Sequence, residues 1–191
     1  MTDVFRLDGR GIAIAGAGSG IGEAVARACA AQGAQVICLD INAGAAERVA
    51  DSSRVAGGLA TSALVDIVDS AATQGALEDA LLWAGRLDAV VCTPSINVRK
   101  PILQYTDDEF ERVIRINLKG NFNVLRAGGR ILTARGSGSI VLFSSIRSQV
   151  VEPGQAVVRC HQGWHRTDGA YCRGRVRVLW GACQRRCTWR G

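Results

Sequence analysis

The sequence contains no run of about 18 apolar residues, the length that a membrane-spanning helix requires. Residues 1–6 also have no apolar segment of the signal-peptide type. There is no internal repeat, no linker, and no low-complexity segment beyond a general richness in alanine and glycine. We therefore expect a soluble cytoplasmic protein. The length of 191 residues suits one α/β domain with a substantial core.

Charged residues are distributed unevenly along the chain. The formal net charge is +6, yet residues 1–157 hold 15 basic and 16 acidic residues, and residues 158–191 hold 8 arginines and 1 aspartate. The second segment also holds 4 of the 7 cysteines, 3 of the 4 tryptophans and both histidines. Its residues follow no helical or strand period. We therefore predict a folded domain over 1–157 and a tail over 158–191 without a defined fold.

Predicted strands and helices alternate through the first 157 residues, which indicates a parallel sheet. The predicted strands are 11–15, 35–40, 59–66, 87–92 and 139–143. The predicted helices are 20–32, 43–50, 69–84 and 107–134. With right-handed crossovers, this order predicts a Rossmann-type, doubly wound α/β fold with strand order 3-2-1-4-5.

A glycine-rich turn, Ala15–Gly22, follows the first predicted strand and opens the first predicted helix. In this arrangement, backbone N–H groups and the positive end of a helix face a phosphate group. A side chain at the glycine positions would block the phosphate or strain the backbone. The alternative is a tight strand–helix turn without a ligand. The candidate cofactor-binding residues of the turn are Gly16, Ser19, Gly20, Ile21 and Gly22.

Asp40 ends the second predicted strand, about 20 residues beyond the glycines. A carboxylate at this position is typical of proteins that bind the adenosine ribose of a dinucleotide. It would repel a 2′-phosphate, and no arginine follows it, so the sequence favours NAD over NADP as cofactor. Ile41, the next residue, is a further candidate for contact with the cofactor. The alternative for Asp40 is an ordinary loop or helix-cap carboxylate.

Three later motifs follow the turn and Asp40 in order, and together they carry a resemblance over residues 5–157. They are Leu64-Val65-Asp66-Ile67, Ile114-Arg115-Ile116-Asn117-Leu118 and Gly138-Ser139-Ile140-Val141-Leu142-Phe143-Ser144-Ser145. With them the chain resembles the short-chain dehydrogenase/reductase family, which implies an NAD(P)-dependent oxidoreductase acting on an alcohol or carbonyl substrate.

The resemblance also implies roles for single residues. Asp66 would face the adenine amino group, with Ile67 beside it. Asn117 would hold a water for proton relay, and Ser145 would polarise the substrate carbonyl. Taken singly, Asp66 is also consistent with a surface carboxylate, Asn117 with a helix cap and Ser145 with a serine-rich strand end. The resemblance further implies a homodimer or homotetramer for the protein in the correct reading frame.

Two segments at and beyond the end of the fourth predicted strand bear on cofactor and substrate binding. Cys92-Thr93-Pro94-Ser95 stands where the family usually has Asn-Asn-Ala-Gly. The hydroxyls of Thr93 and Ser95 are candidates for contact near the cofactor ribose, whereas Pro94 lacks a backbone donor. Residues 96–101 lie where family members border the substrate. There Arg99 and Lys100 suit a polyol, a sugar acid or another polar substrate, or else form a solvated basic loop.

The family's general acid/base tyrosine and its lysine partner are missing from their expected positions. Counted from Ser145, those positions hold Val158 and Gln162, which neither transfer a proton nor carry charge. Codons permitted for Val158–Trp164, read one nucleotide later, encode Tyr-Ala-Ala-Thr-Lys-Ala-Gly, which restores both residues in register. We therefore expect residues 158–191 to be an out-of-frame translation, the family's C-terminal strands to be missing, and the truncated chain to be catalytically inactive.

Alternatives for the tail are a metal site and a nucleic-acid surface. The tail contains six cysteines and histidines that could be zinc ligands: Cys160, His161, His165, Cys172, Cys183 and Cys187. Their spacing fits no compact ligand set, and no helix or strand pattern supports a basic nucleic-acid surface. We therefore expect no metal, no nucleic acid and no membrane as partners. A non-catalytic nucleotide-binding protein and a nonfunctional fragment remain alternatives to the oxidoreductase.

Overall fold

The structure, a computed structural model, describes residues 5–144 and the backbone of residues 175–181. Its strands form one parallel sheet with the order β3-β2-β1-β4-β5-β6. The strands are β1 Gly11–Ala15, β2 Gln35–Asp40, β3 Leu59–Leu64, β4 Ala89–Cys92, β5 Ser137–Phe143 and β6 Arg175–Gly181. The predicted order 3-2-1-4-5 is therefore confirmed, with β6 added beyond β5.

Helices connect the strands and cover both faces of the sheet. They are α1 Gly20–Ala31, α2 Ala43–Val55, α3 Ser70–Ala84, α4 Asp107–Ile114 and α5 Asn121–Arg135. Two apolar clusters result: one contains Ile14, Val36 and Val49, and the other contains Leu77 and Leu132. All five residues of β1 are buried, as a central parallel strand covered on both faces requires.

The helix predicted over residues 107–134 is interrupted in the structure. A capping box formed by Thr106 and Glu109 starts α4, and a π-helical segment, Arg115–Gly120, separates α4 from α5. Gly120 packs there against the loop after β3, since an added Cβ would lie 2.6 Å from Cδ1 of Ile67. An apolar repeat does not distinguish α from π geometry over one turn, so the sequence pattern predicted one continuous helix.

β6 corrects the expectation that residues 158–191 contribute no strand. Arg175–Gly181 pairs with β5 in parallel, from Ser137 opposite Arg175 to Phe143 opposite Gly181. Val176 and Val178 alternate with arginines in this segment, and such β-branched alternation favours a strand. The predicted boundary between Val157 and Val158 falls outside the described residues, as do the candidate positions Ser145, Val158 and Gln162.

Asp88 joins several elements at the amino-terminal edge of the sheet. Its carboxylate accepts hydrogen bonds from the Gly11 amide at 3.0 Å, from Arg10 at 2.9 Å and from Arg86 at 2.7 Å. Arg135 forms a further ion pair with it at 2.8 Å. Burial raises the pKa of Asp88, but the hydrogen bonds from the three arginines outweigh it and hold the pKa well below its usual range. This network fixes the edge of the sheet opposite the pocket described next.

Candidate functional site

A pocket of about 440 Å³ opens at the carboxyl-terminal edge of the sheet, where β1, β2 and β4 end. In an open parallel sheet this edge is the usual place for a ligand, at the point where the strand order reverses. Of the predicted cofactor-binding residues, all but Gly22 line the pocket: Gly16, Ser19, Gly20, Ile21, Asp40, Ile41, Asp66, Ile67 and Thr93. Residues from four separate stretches of the sequence therefore meet in one cavity.

The glycine turn connects β1 to α1 at the floor of the pocket. Its start is fixed to β2, because the amides of Gly16 and Ala17 donate to the carbonyl of Leu39 at 2.8 and 3.1 Å. Gly16 and Gly20 have φ values of +79° and +55°, in the left-handed region that favours glycine. Ser19 precedes the first helical residue and is exposed. The amino-terminal end of α1 therefore faces the pocket, with its partial positive charge available to an anion.

Gly22 lies behind the turn rather than on the pocket wall. An added Cβ would lie 1.9 Å from the carbonyl oxygen of Gly16 and 2.8 Å from Oγ1 of Thr93. Gly22 therefore allows the first turn of α1 to pack directly on the backbone that leaves β1. Its role in this structure is close packing, not contact with the pocket.

Asp40 is held in place by two backbone amides. Its Oδ2 accepts from the amide of Gly18 at 2.8 Å, and its Oδ1 accepts from the amide of Asn42 at 2.9 Å. Asn42 in turn caps α2 by accepting from the amide of Ala45 at 3.0 Å. The carboxylate at the end of β2 is thus bonded directly to the centre of the glycine turn.

Asp66 and Ile67 lie on the loop after β3, at another side of the pocket. The carboxylate of Asp66 accepts from the amide of Val68 at 2.9 Å, and the Asp66 side chain is exposed. The buried side chain of Asn123 donates to the carbonyls of Ile67 and Val68 at 2.9 and 3.1 Å. Sequence analysis missed Asn123, although a polar residue inside an apolar helix pattern is a signal that it has a buried partner.

Thr93 follows β4 and contacts the glycine turn. Its hydroxyl donates to the carbonyl of Ala15 at 3.0 Å, and the carbonyl of Gly16 lies 3.3 Å from the same oxygen. Pro94 also packs here, because a Cβ on Gly16 would lie 2.9 Å from its Cγ. In the structure Thr93 and Pro94 therefore close the turn against β4, and Thr93 lines the pocket as well.

Asn117 is buried in the π-helical segment and is bonded to the loop after β4. Its Nδ2 donates to the carbonyl of Ile96 at 2.7 Å, and its Oδ1 accepts from the amide of Ile96 at 2.8 Å. The carbonyl of Asn117 accepts from Nδ2 of Asn121 at 2.8 Å. Because Ile96 lines the pocket, Asn117 fixes one wall of the cavity.

Lys100 contacts partners in its own loop and in the first turn of α4. It forms an ion pair with Glu109 and lies 5.6 Å from the ring centre of Tyr105. The hydroxyl of Tyr105 donates to the carbonyl of Val98. The Lys100 ammonium lowers the pKa of Glu109, which keeps this carboxylate charged near neutral pH. The charge of Lys100 is therefore balanced by Glu109 at the start of α4, which disfavours a role for Lys100 in binding a polar substrate.

The pocket combines carboxylates with exposed apolar side chains. Ile21 and Ile41 line it although 58% and 68% of their surfaces are exposed, so a ligand with an apolar ring would cover them. No group of three or more histidine, cysteine or acidic side chains suited to a metal ion occurs within the described residues. In that same part of the chain, no helix has the length and apolar character needed to cross a membrane.

Comparison with known proteins shows the family of this chain. The family model described as short chain dehydrogenase matches residues 10–158. The chain belongs to this family. A galactitol 2-dehydrogenase (L-tagatose-forming) of Cereibacter sphaeroides is 36% identical over 148 residues, which are 78% of this chain and 57% of that relative. This protein is therefore a short-chain dehydrogenase/reductase that spans a little more than half the length of the curated relatives it matches.

Solved structures of other short-chain dehydrogenases share the fold. A gluconate 5-dehydrogenase from Burkholderia cenocepacia J2315, in complex with NADP and tartrate, superposes with a TM-score of 0.85 at 31% identity, covering 92% of this chain and 72% of that one. An NAD⁺-bound xylitol dehydrogenase superposes with a TM-score of 0.79 at 29% identity, covering 84% and 62%. These two structures of relatives hold different cofactors, so they do not select between NAD and NADP.

Proposed function

We propose that the pocket binds NAD, with the pyrophosphate on the glycine turn, the adenosine ribose on Asp40 and the adenine beside Asp66. The observation that carries this proposal is the position of the Asp40 carboxylate, fixed by the amides of Gly18 and Asn42 at the pocket wall. A fixed carboxylate presents two acceptor oxygens to the two hydroxyls of a ribose without a large ordering cost.

Preference for NAD over NADP follows from charge. A 2′-phosphate on the ribose would meet the Asp40 carboxylate, and like charges at that distance repel. Arg48, the cation bonded to Gly18 beside Asp40, donates to the Gly18 carbonyl and to both oxygens of Glu23. Because these acceptors already hold its guanidinium, we do not expect Arg48 to bind an additional phosphate. The solved relatives include one bound to NADP and one bound to NAD⁺, so this preference rests on the chain's own residues.

The test of the cofactor proposal is a pair of affinities, for NAD and for NADP, measured by calorimetry. Asp40→Ala is expected to weaken NAD binding by about 1.5–3 kcal/mol, the range for charge-assisted hydrogen bonds, and to reduce the discrimination against NADP. Asp79→Ala, which removes an exposed carboxylate on α3, is the matched control and should bind NAD normally. Equal affinity of the unaltered protein for both cofactors, or unchanged NAD binding in Asp40→Ala, would contradict the proposal.

For the protein in its restored reading frame, we propose oxidation of a polyhydroxylated alcohol or reduction of the corresponding carbonyl compound. The names of the similar proteins support this class, since they include a galactitol 2-dehydrogenase and a xylitol dehydrogenase. A panel of polyols, sugar acids and simple secondary alcohols tests it. Activity confined to simple alcohols would overturn it. We further propose that this protein forms a homodimer or homotetramer, which light scattering tests.

The chain as it stands is proposed to bind NAD without dehydrogenase turnover. Hydride transfer from an alcohol requires removal of the alcohol proton, and Val158 and Gln162 offer no base. The match to the family model ends at residue 158, which supports a break in the reading frame there. Sequencing the DNA around codon 157 tests the break directly. Comparable NAD-dependent turnover by this chain and by a frame-restored version would show that the interpretation is wrong.

A further inference from the structure

Gly18, at the centre of the glycine turn, has both of its backbone polar groups bound by side chains. Its amide donates to Oδ2 of Asp40 at 2.8 Å, and its carbonyl accepts from Nη2 of Arg48 at 2.8 Å. The fit is close, because an added Cβ would lie 2.9 Å from Asp40 Oδ2 and 2.8 Å from the Cβ of Ala45. Two residues that follow β1 by more than twenty positions therefore set the orientation of Gly18 in the turn.

The guanidinium of Arg48 is itself fixed by Glu23 on α1. Nη1 of Arg48 lies 2.9 Å from Oε1 of Glu23, and Nη2 lies 2.7 Å from Oε2. Two parallel hydrogen bonds of this kind define the plane of the guanidinium as well as its position. Hydrogen bonds from Arg48 and Arg27 lower the pKa of Glu23 to about 2, so the carboxylate is ionised at neutral pH. Arg48, on α2, thus connects α1 to the turn that precedes it.

We propose that Arg48 is a positioning residue for the glycine turn, holding Gly18 so that its amide stays on Asp40 and the turn is set before a dinucleotide arrives. This inference rests on the proposed NAD-binding function. Without Arg48, the carbonyl of Gly18 loses its partner and the peptide is less constrained. Ordering the turn and Asp40 is then part of the free energy of binding, which lowers the affinity.

Arg27 provides a matched control within the same network. It also binds Glu23, with contacts of 2.8 and 3.1 Å to Oε1, but it makes no contact with Gly18 among the described hydrogen bonds. Arg27→Ala and Arg48→Ala therefore each remove one cation from Glu23, and only Arg48→Ala releases the turn. The double variant Arg48→Ala with Glu23→Gln removes the carboxylate charge that Arg48 otherwise balances.

Two measurements on the full chain test the proposal. The first is hydrogen exchange of the Gly18 amide in the absence of nucleotide, and the second is the Kd for NAD. Arg48→Ala is expected to accelerate the exchange and to raise the Kd by about tenfold, while Arg27→Ala changes neither. Thermal midpoints of the two single variants should match, which separates positioning from a general loss of stability.

The outcomes separate a failure of the proposed NAD binding from a failure of the inference about Arg48. If the unaltered chain does not bind NAD, the proposed function fails, and the exchange rate of Gly18 still decides the role of Arg48. If NAD binds and Arg48→Ala changes neither the exchange rate nor the Kd, the inference about Arg48 is overturned. Recovery of NAD affinity in the double variant would also overturn it, because Arg48 would then act only by cancelling the charge of Glu23.

Discussion

Replacing Gly22 by alanine is expected to be the most damaging single-methyl change in the glycine turn. Gly22 belongs to the first turn of α1, so its backbone is helical and suits any residue. The obstacle is space, because the new Cβ would lie 1.9 Å from the carbonyl oxygen of Gly16. That oxygen belongs to the backbone and has no rotamer by which to move away.

The magnitude follows from this distance. Ordinary van der Waals contact begins at 3.4 Å, so the first turn of α1 must separate from the end of β1 by about 1.5 Å. Overpacking of a well-packed interior costs about 1–3 kcal/mol, and a clash with backbone should reach the upper end of that range. The same displacement moves the amino-terminal end of α1 away from the pocket, so we also expect NAD affinity to fall by at least tenfold.

Urea unfolding and calorimetric NAD titration measure the two effects, with Gly20→Ala as the comparison. Gly20 has a φ of +55°, and an added Cβ would meet nothing within 4 Å. Its substitution should therefore cost only the backbone strain, about 1–2 kcal/mol. If Gly22→Ala is no less stable than Gly20→Ala, close packing is not the reason that position 22 is a glycine.

Further predictions concern the residues that support the pocket. Asp88→Asn should destabilise the protein by about 2–3 kcal/mol at pH 7, with Asp8→Asn as the exposed control. Folding lowers the pKa of Asp88, so this stabilisation is complete above the unfolded-state pKa of about 4 and is lost as the pH falls from there toward the folded-state pKa. The urea unfolding curves of Asp88→Asn and of the unaltered protein should therefore converge in acid. Asn123→Ala should weaken adenosine binding about tenfold in calorimetry because the Asp66 loop loses its anchor, and unchanged binding would contradict this. Burial raises the pKa of the Cys92 thiol to about 12. Peptide mapping after iodoacetamide treatment should therefore find Cys92 unmodified in the folded protein. Rapid modification of Cys92 would show that β4 is not enclosed.

The sequence predicted those parts of the fold that local patterns encode. The bounds of β1 and β2 agree with prediction, because a continuous apolar run ended by glycine or a carboxylate marks a buried parallel strand. Helix α2 is five residues longer than predicted, since it ends at Val55 rather than residue 50. The predicted elements included neither the π-helical segment Arg115–Gly120 nor the strand Arg175–Gly181. Each depends on packing against a distant element, and the short alternation of valine and arginine does not by itself establish a strand.

The residues of the candidate site were also predicted only in part. The glycines of the turn and Asp40 were predicted from spacing alone, because a strand, a turn and a helix in succession bring a residue at the end of the next strand beside the turn. The family resemblance supplied Asp66 and Asn117. Sequence spacing did not reveal Asn123, although it anchors the loop that carries Asp66.

By itself, the sequence determined the alternation of strands and helices, the glycine turn and the carboxylate that follows β2. The tertiary structure alone decided which glycine serves which purpose: Gly16 and Gly20 adopt left-handed backbone angles, whereas Gly22 makes room for a carbonyl. It also decided that Arg48 holds Gly18 from 30 residues away. Local propensities act over a few residues, but a clash or a hydrogen bond between distant segments exists only once packing has brought them together.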